Sequence, residues 1–134
     1  MNQTPDAPQR ILLVEDNMLN EMVALGMLRL LGRTADVTRN GVEAVEAMGK
    51  HSYGIVFMDV QMPVLDGLDA TRRIRAELPT DQQPYIIALT ANAMAGDEER
   101  CIEAGMNAYL SKPLSKERLA SALMAADEHL ESRS

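Results

Sequence analysis

The sequence predicts an α/β fold, a doubly wound sheet of five parallel strands with helices on both faces. Three observations carry this prediction. Short apolar runs alternate with helix-period segments five times along the chain, and such alternation implies a parallel sheet. The runs ILLV, IVFM and IIAL are continuously apolar, as strands buried on both faces are. The 134 residues, 46% hydrophobic and 25% charged, suit one soluble domain that buries roughly 65–70% of its unfolded-chain surface.

Each element has its own signal. Residues 1–9 are polar, contain two prolines and read as a flexible lead-in to a domain over 10–131, with a tail at 132–134. RILLVED is a strand that ends on Glu15 and Asp16. Residues 18–31 have helical periodicity, and Gly32 fits a helix stop. TADVT is a weaker strand, closed by Asn40-Gly41. VEAVEAMGK is a helix with Val42, Val45 and Met48 on one face. GIVFMD is the third strand, and LDATRRIRAEL a helix that stops before Pro79. YIIALT is the fourth strand. DEERCIEA is a helix with acids in its first turn, where the macrodipole favours them, and it closes at Gly105. NAYLSK is the fifth strand, and Ser115 is placed to cap a last helix from residue 116. Right-handed crossovers then put helices on both faces of the sheet.

Composition narrows the function. The net charge is −7, which argues against a nucleic-acid-binding domain and against contact with anionic membrane. A cation is the more natural ligand. Cys101 is the only cysteine, so no intrachain disulfide and no cysteine metal site is expected. No apolar run approaches the roughly 18 residues that cross a membrane, and MNQTPDAPQR lacks the apolar centre of a signal peptide. These features together predict a cytoplasmic location. Aromatics are 3% of the chain, which leaves aliphatic residues and ten methionines to fill the core.

The chemistry lies at the carboxyl end of each apolar run. Glu15 and Asp16 stand after the first, Asp59 after the third, Thr90 after the fourth and Lys112 after the fifth. In a parallel sheet these carboxyl ends share one edge, where open α/β sheets bind ligands. Alone, each residue is an ordinary solvated strand end, cap or surface lysine; together they are three carboxylates, a hydroxyl and an ammonium on one rim. Clustered carboxylates repel unless a cation sits among them. An all-oxygen set on a rim suits Mg²⁺, which takes one or two carboxylates, waters and phosphate oxygen; Mn²⁺ could substitute. Thr90 and Lys112 supply a hydroxyl donor and a point charge for phosphoryl oxygens. A carboxylate that attacks a phosphoryl group becomes an aspartyl phosphate.

ILLVEDN, VFMDVQMPVLDG, IIALTANA and YLSKPL resemble the motifs of response-regulator receiver domains, over residues 10 to about 130. MDVQMPVLDG with ALTANAM looks most like the receivers of hybrid sensor histidine kinases. The resemblance implies a flavodoxin-like (βα)5 topology with strand order 2-1-3-4-5. It makes Asp59 the phosphoacceptor, Asp16 a direct Mg²⁺ ligand, Glu15 its acidic neighbour acting through water, and Gln61 a ligand through its backbone carbonyl. It makes Thr90 and Lys112 the phosphoryl-binding residues, with the Lys112–Pro113 bond cis, and Tyr109 the switch aromatic that turns inward as Thr90 moves. Gln61 and Asn92 fall where side chains tune phosphoryl lifetime. The implied function is a two-component or phosphorelay signalling module. It takes its phosphoryl group from a histidine kinase or a histidine phosphotransfer domain, and catalyses only its own phosphorylation and dephosphorylation. If it is cut from a hybrid protein, the parent is a histidine kinase. A homodimer is allowed.

The helix at 18–31 reads as two-faced. Asn20, Val23, Met27 and Leu31 are expected against the sheet; Met18, Met22 and Leu25 form a second stripe. Beside Pro113, that stripe is where the family docks a histidine-bearing helix pair. Two other functions compete. A haloacid-dehalogenase-type phosphatase would want a second aspartate two residues past Asp59, where Gln61 stands. A degenerate receiver acting as an interaction scaffold would have lost one of Asp16, Asp59, Thr90 or Lys112, and all four are present.

Overall fold

The computed structural model describes residues 10–60, 65–91 and 97–132. Its elements are β1 (Ile11–Val14), α1 (Met18–Leu30), β2 (Ala35–Thr38), α2 (Gly41–Lys50), β3 (Ile55–Asp59), α3 (Gly67–Glu77), β4 (Tyr85–Thr90), α4 (Asp97–Ala104), β5 (Ala108–Ser111) and α5 (Lys116–Ser132). A single 3₁₀ turn at Thr80–Gln82, not foreseen from the sequence, joins α3 to β4. All strand pairs are parallel, in the order β2-β1-β3-β4-β5.

Strand alternation explains the double winding. Successive side chains point to opposite faces of a sheet. Leu12, Val14, Val56, Met58, Ile86 and Ala88 face one way and meet Ala44 and Met48 of α2, Leu68, Ala70 and Ile74 of α3, and Cys101 and Ala104 of α4. Ile11, Leu13, Ile55, Phe57, Ile87 and Leu89 face the other way, onto Ala24 and Leu28 of α1 and Leu119, Leu123, Ala126 and Leu130 of α5. The helices start where side chains satisfy their first amides. Asn17 Oδ1 accepts from Asn20 N, Asn40 Oδ1 from Glu43 N and Asp66 Oδ1 from Asp69 N, each at 2.9 Å. Ser115 Oγ accepts from Arg118 N at 3.2 Å. Gly32 (φ 79°) and Gly105 (φ 112°) come after α1 and α4 in left-handed backbone.

Two helix faces differ from expectation. In α1 the residues buried against the sheet are Ala24 and Leu28, with Leu25, Met27 and Leu31 packed partly beside them. Val23 is 42% exposed, so the sheet-facing set expected from Asn20, Val23, Met27 and Leu31 is rotated. Leu25 leaves the outer stripe for the inner one, and Leu19 and Val23 join Met18 and Met22 outside. In α2 the buried residues are Gly41, Ala44 and Met48; Val45 packs partly beside them, and Val42 is only half-buried.

A polar cluster closes the end of the sheet remote from the ligand edge. The Tyr53 hydroxyl donates to Asp36 Oδ2 at 2.6 Å, and Arg10 Nη2 donates to the same oxygen at 3.0 Å. Burial, then the hydrogen bond to Asp36, push the Tyr53 phenol up to about 12. The Tyr53 hydrogen bond, then Arg10, hold Asp36 below its ordinary 3.8. The raised phenol contributes stability below its unfolded value of 10.0, lost as pH climbs through about 12. The lowered Asp36 contributes above 3.8, lost as pH falls through its folded value. Tyr53→Phe is therefore expected to cost about 1 kcal/mol near neutrality, at the low end because Asp36 is half exposed. Urea titrations should show the gap closing in acid; an equal gap below the range where Asp36 titrates would refute the linkage.

Candidate functional site

Glu15, Asp16, Asp59, Thr90 and Lys112 lie at the carboxyl edge of the sheet. Glu15 comes directly after β1 and is held there by Glu15 N donating to Thr38 O at 3.0 Å. Its carboxylate is 2% exposed and is occupied on both sides. Oε2 accepts from Asn17 N at 3.2 Å, and Oε1 meets Lys112 Nζ at 3.1 Å. Asp16 is exposed. Asp59 is the last residue of β3, its carboxylate 8% exposed, with Oδ2 3.5 Å from Lys112 Nζ. Carboxylate oxygens of Glu15, Asp16 and Asp59 lie within 4.8 Å of one another.

The neighbouring strands complete the rim. Thr90 ends β4 and is buried. It pairs in register with Ser111, and Thr90 O accepts from Lys112 N at 2.7 Å. The Lys112–Pro113 peptide is cis, as the resemblance implied. Tyr109, half-buried on β5, packs against the core beneath α4. Gln61 and Asn92 lie outside the described residues. Met18 and Met22 are each 63% exposed, and Pro113 is exposed. A cavity of about 140 Å³ between Leu19, Val23, Leu89, Pro113 and Leu114 opens beside Lys112.

One ammonium thus faces two nearly buried carboxylates, while a third stands in solvent beside them. That donor set is all oxygen, carries excess negative charge and stays open on the Asp16 side, which fits a hard divalent cation with retained waters. Lys112 stands beside Asp59, and Thr90 ends the strand that pairs with β3.

Gly67, which the sequence offers only as half of the Asp66-Gly67 turn leading into the next helix, bears directly on the site. A Cβ on Gly67 would overlap the Asp59 carbonyl oxygen and stand 3.0 Å from Met58 Cγ. Gly67 N also donates to Val60 O at 3.0 Å. The start of α3 is thus pressed onto the backbone that carries Asp59. The only signal in the sequence is the glycine itself.

The response regulator receiver domain family matches residues 11–124. The chain belongs to this family. It is a receiver domain of two-component signalling, with the flavodoxin-like receiver fold. A receiver domain of the sensor histidine kinase PA1611 from Pseudomonas aeruginosa, with magnesium coordinated in its active-site cleft, is 45% identical with a TM-score of 0.82; the match covers 91% of this receiver and 99% of that one. Histidine kinase 5 of Arabidopsis thaliana is 42% identical over 140 residues, 85% of this chain and 15% of the kinase. A chain from the co-crystal of the Saccharomyces cerevisiae phosphotransfer protein Ypd1 with the Ssk1 receiver domain is 29% identical, with a TM-score of 0.79; 87% of each chain is covered. This receiver spans only 6% to 15% of the length of its similar curated relatives.

Proposed function

We propose that this receiver accepts a phosphoryl group on Asp59 from the phosphohistidine of a kinase or phosphotransfer domain. The observation that carries the reading is the buried Asp59 carboxylate with Lys112 Nζ at 3.5 Å and two further carboxylates beside it. An Asp59 oxygen attacks phosphorus, the P–N bond breaks, and the imidazole leaves with the bonding pair and takes a proton from solvent. Lys112 and Thr90 hold the oxygens of the group in flight and afterwards, which is catalysis by positioning and charge neutralisation. Glu15, Asp16, Asp59 and the Gln61 carbonyl are the proposed holders of Mg²⁺, or of Mn²⁺ in its place; when bound, the ion neutralises negative charge on the transferring group. The PA1611 receiver, with magnesium in its own active-site cleft, supports this assignment.

Phosphorylation would add roughly −1.5 to −2 charges at Asp59. Thr90 and Lys112 are then drawn to the new oxygens, and Tyr109 turns inward. Gln61 and Asn92 set how soon water removes the group, the only other reaction the domain assists. The phosphodonor docks on Met18, Leu19, Met22 and Val23 beside Pro113. The Ypd1–Ssk1 co-crystal supports a partner of this class. The domain is proposed to work in the cytoplasm.

Asp59→Asn should abolish Mg²⁺-dependent labelling by acetyl phosphate, read as a phosphoryl increment in intact mass; labelling that persists in the variant would refute the assignment. Met22→Glu should slow transfer from a cognate phosphodonor roughly tenfold or more, by setting a charge in an apolar contact. Labelling by acetyl phosphate should be unaffected. Equal transfer rates in a folded variant would count against this docking face.

A further inference from the structure

The run Arg72-Arg73-Ile74-Arg75 looks uniform, yet its arginines do different things. Arg72 and Arg73 are exposed and pair along the helix, with Asp69 at 2.7 Å and Glu77 at 3.3 Å. Arg75 turns inward at the base of the sheet. Its Nε donates to Gly105 O at 2.8 Å, and its Nη2 to Asn107 Oδ1 at 2.7 Å. Its Nη1 donates to Gln83 Oε1 at 2.9 Å and to Pro84 O at 2.8 Å. One planar guanidinium thus ties the end of α3, the start of β4 and the turn from α4 into β5.

The partners are themselves fastened. Asn107 Oδ1 also accepts from Ile86 N, and Asn107 N donates to Ile86 O, both at 2.8 Å. Gln83 Nε2 caps the carboxyl end of α3 by donating to Leu78 O at 2.9 Å and Arg75 O at 3.1 Å. Met106 N donates to Cys101 O at 3.0 Å across the left-handed Gly105. A Cβ on Gly105 would stand 2.9 Å from Arg75 Cγ, so the turn lies directly on the arginine stem.

We propose that Arg75 is the fixed hinge of α4: it pins the carboxyl end of that helix to the base of the sheet, so that rearrangement begun at Thr90 is taken up at the helix's amino end. A planar fork engaged along its length has little rotational freedom. Among the described side chains of α4, the small Cys101 and Ala104 are buried, and Ile102 is 49% exposed. A helix packed through small residues and clamped at one end pivots about the clamp. Arg75 is a positioning residue and touches no reacting atom. The inference rests on the phosphoacceptor reading, since the motion starts at the strand-end site.

The test uses the whole chain and NMR. In the ligand-free receiver, Arg75→Met should speed hydrogen exchange at Gly105, Met106 and Asn107 roughly tenfold or more while leaving Phe57 and Ile87 unchanged, the pattern of a local opening. Arg75→Lys should fall between, and stands in for Arg75→Met should that variant unfold. With Mg²⁺ and beryllofluoride, a stand-in for aspartyl phosphate, amide shift changes in the wild-type receiver should concentrate at Glu98–Arg100 and spare Gly105–Asn107. In Arg75→Met they should spread to both ends. Unchanged exchange at Gly105–Asn107 on removing the guanidinium would overturn the hinge, and so would equal shifts at both ends of wild-type α4. A missing ¹⁹F resonance for the bound fluoride would instead defeat the phosphoacceptor reading, and the ligand-free exchange comparison would still decide whether Arg75 pins the turn.

Discussion

Gly67→Ala is expected to destabilise the receiver by about 3 kcal/mol and to slow phosphoryl labelling roughly 10- to 100-fold. The added methyl would lie on the Asp59 carbonyl oxygen. Backbone cannot rotate away as a side chain can, so either α3 withdraws from the sheet or the end of β3 shifts. Withdrawal costs packing at Leu68 and Ala70, both in the core, and strains the bond from Gly67 N to Val60 O. A shift of β3 moves the carboxylate against Lys112. Chemical denaturation measures the first cost and intact-mass labelling the second. Wild-type values for both would mean that α3 slides freely over the strand end.

Lys112→Met should have a comparable effect by a different route. Its ammonium is a cation set against the nearly buried carboxylates of Glu15 and Asp59. Removing one partner of a buried ion pair costs roughly 3–5 kcal/mol, and the one-fifth exposure of Lys112 places the expected loss at about 2–3 kcal/mol. The ammonium would also compete with a divalent cation held by those oxygens. The variant should bind Mg²⁺ several-fold more tightly and recover much of its lost thermal stability when Mg²⁺ is added. Melting curves with and without the ion check both effects. Equal stability and equal Mg²⁺ response in variant and wild type would mean that Lys112 is not coupled to the pair.

The sheet was legible in the sequence because its strands carry their own signal. YIIALT is β4 to the residue, and DEERCIEA is α4. The rim was legible with it, since a parallel sheet must deliver all its strand ends to one edge. The face of α1 was not legible. Met18, Leu19, Met22, Val23, Leu25, Met27, Leu28, Leu30 and Leu31 surround the helix with apolar residues, leaving no polar stripe to mark the outside. The inner face is centred instead on Ala24, a small residue that periodicity undervalues. In α2 likewise, Gly41 and Ala44 take the buried positions, and a Cβ on Gly41 would overlap the Leu65 carbonyl. Arg75 was hidden in a run of like charges, because its distinction lies in which partners the fold brings near, and Gly105 and Asn107 are far along the chain.

The outer strands of the sheet carry a consequence for solubility. An open sheet has two unpaired edges, each a template on which another chain's strand could add. Here both edge strands, β2 and β5, are four residues long. β2 carries the exposed Arg10–Asp36 ion pair, and β5 ends two residues before Pro113, which has no N–H to donate. Short, charged and proline-terminated borders are poor templates for further strands. A core this rich in aliphatic strands is therefore bordered by strands that offer a neighbouring chain little to pair with.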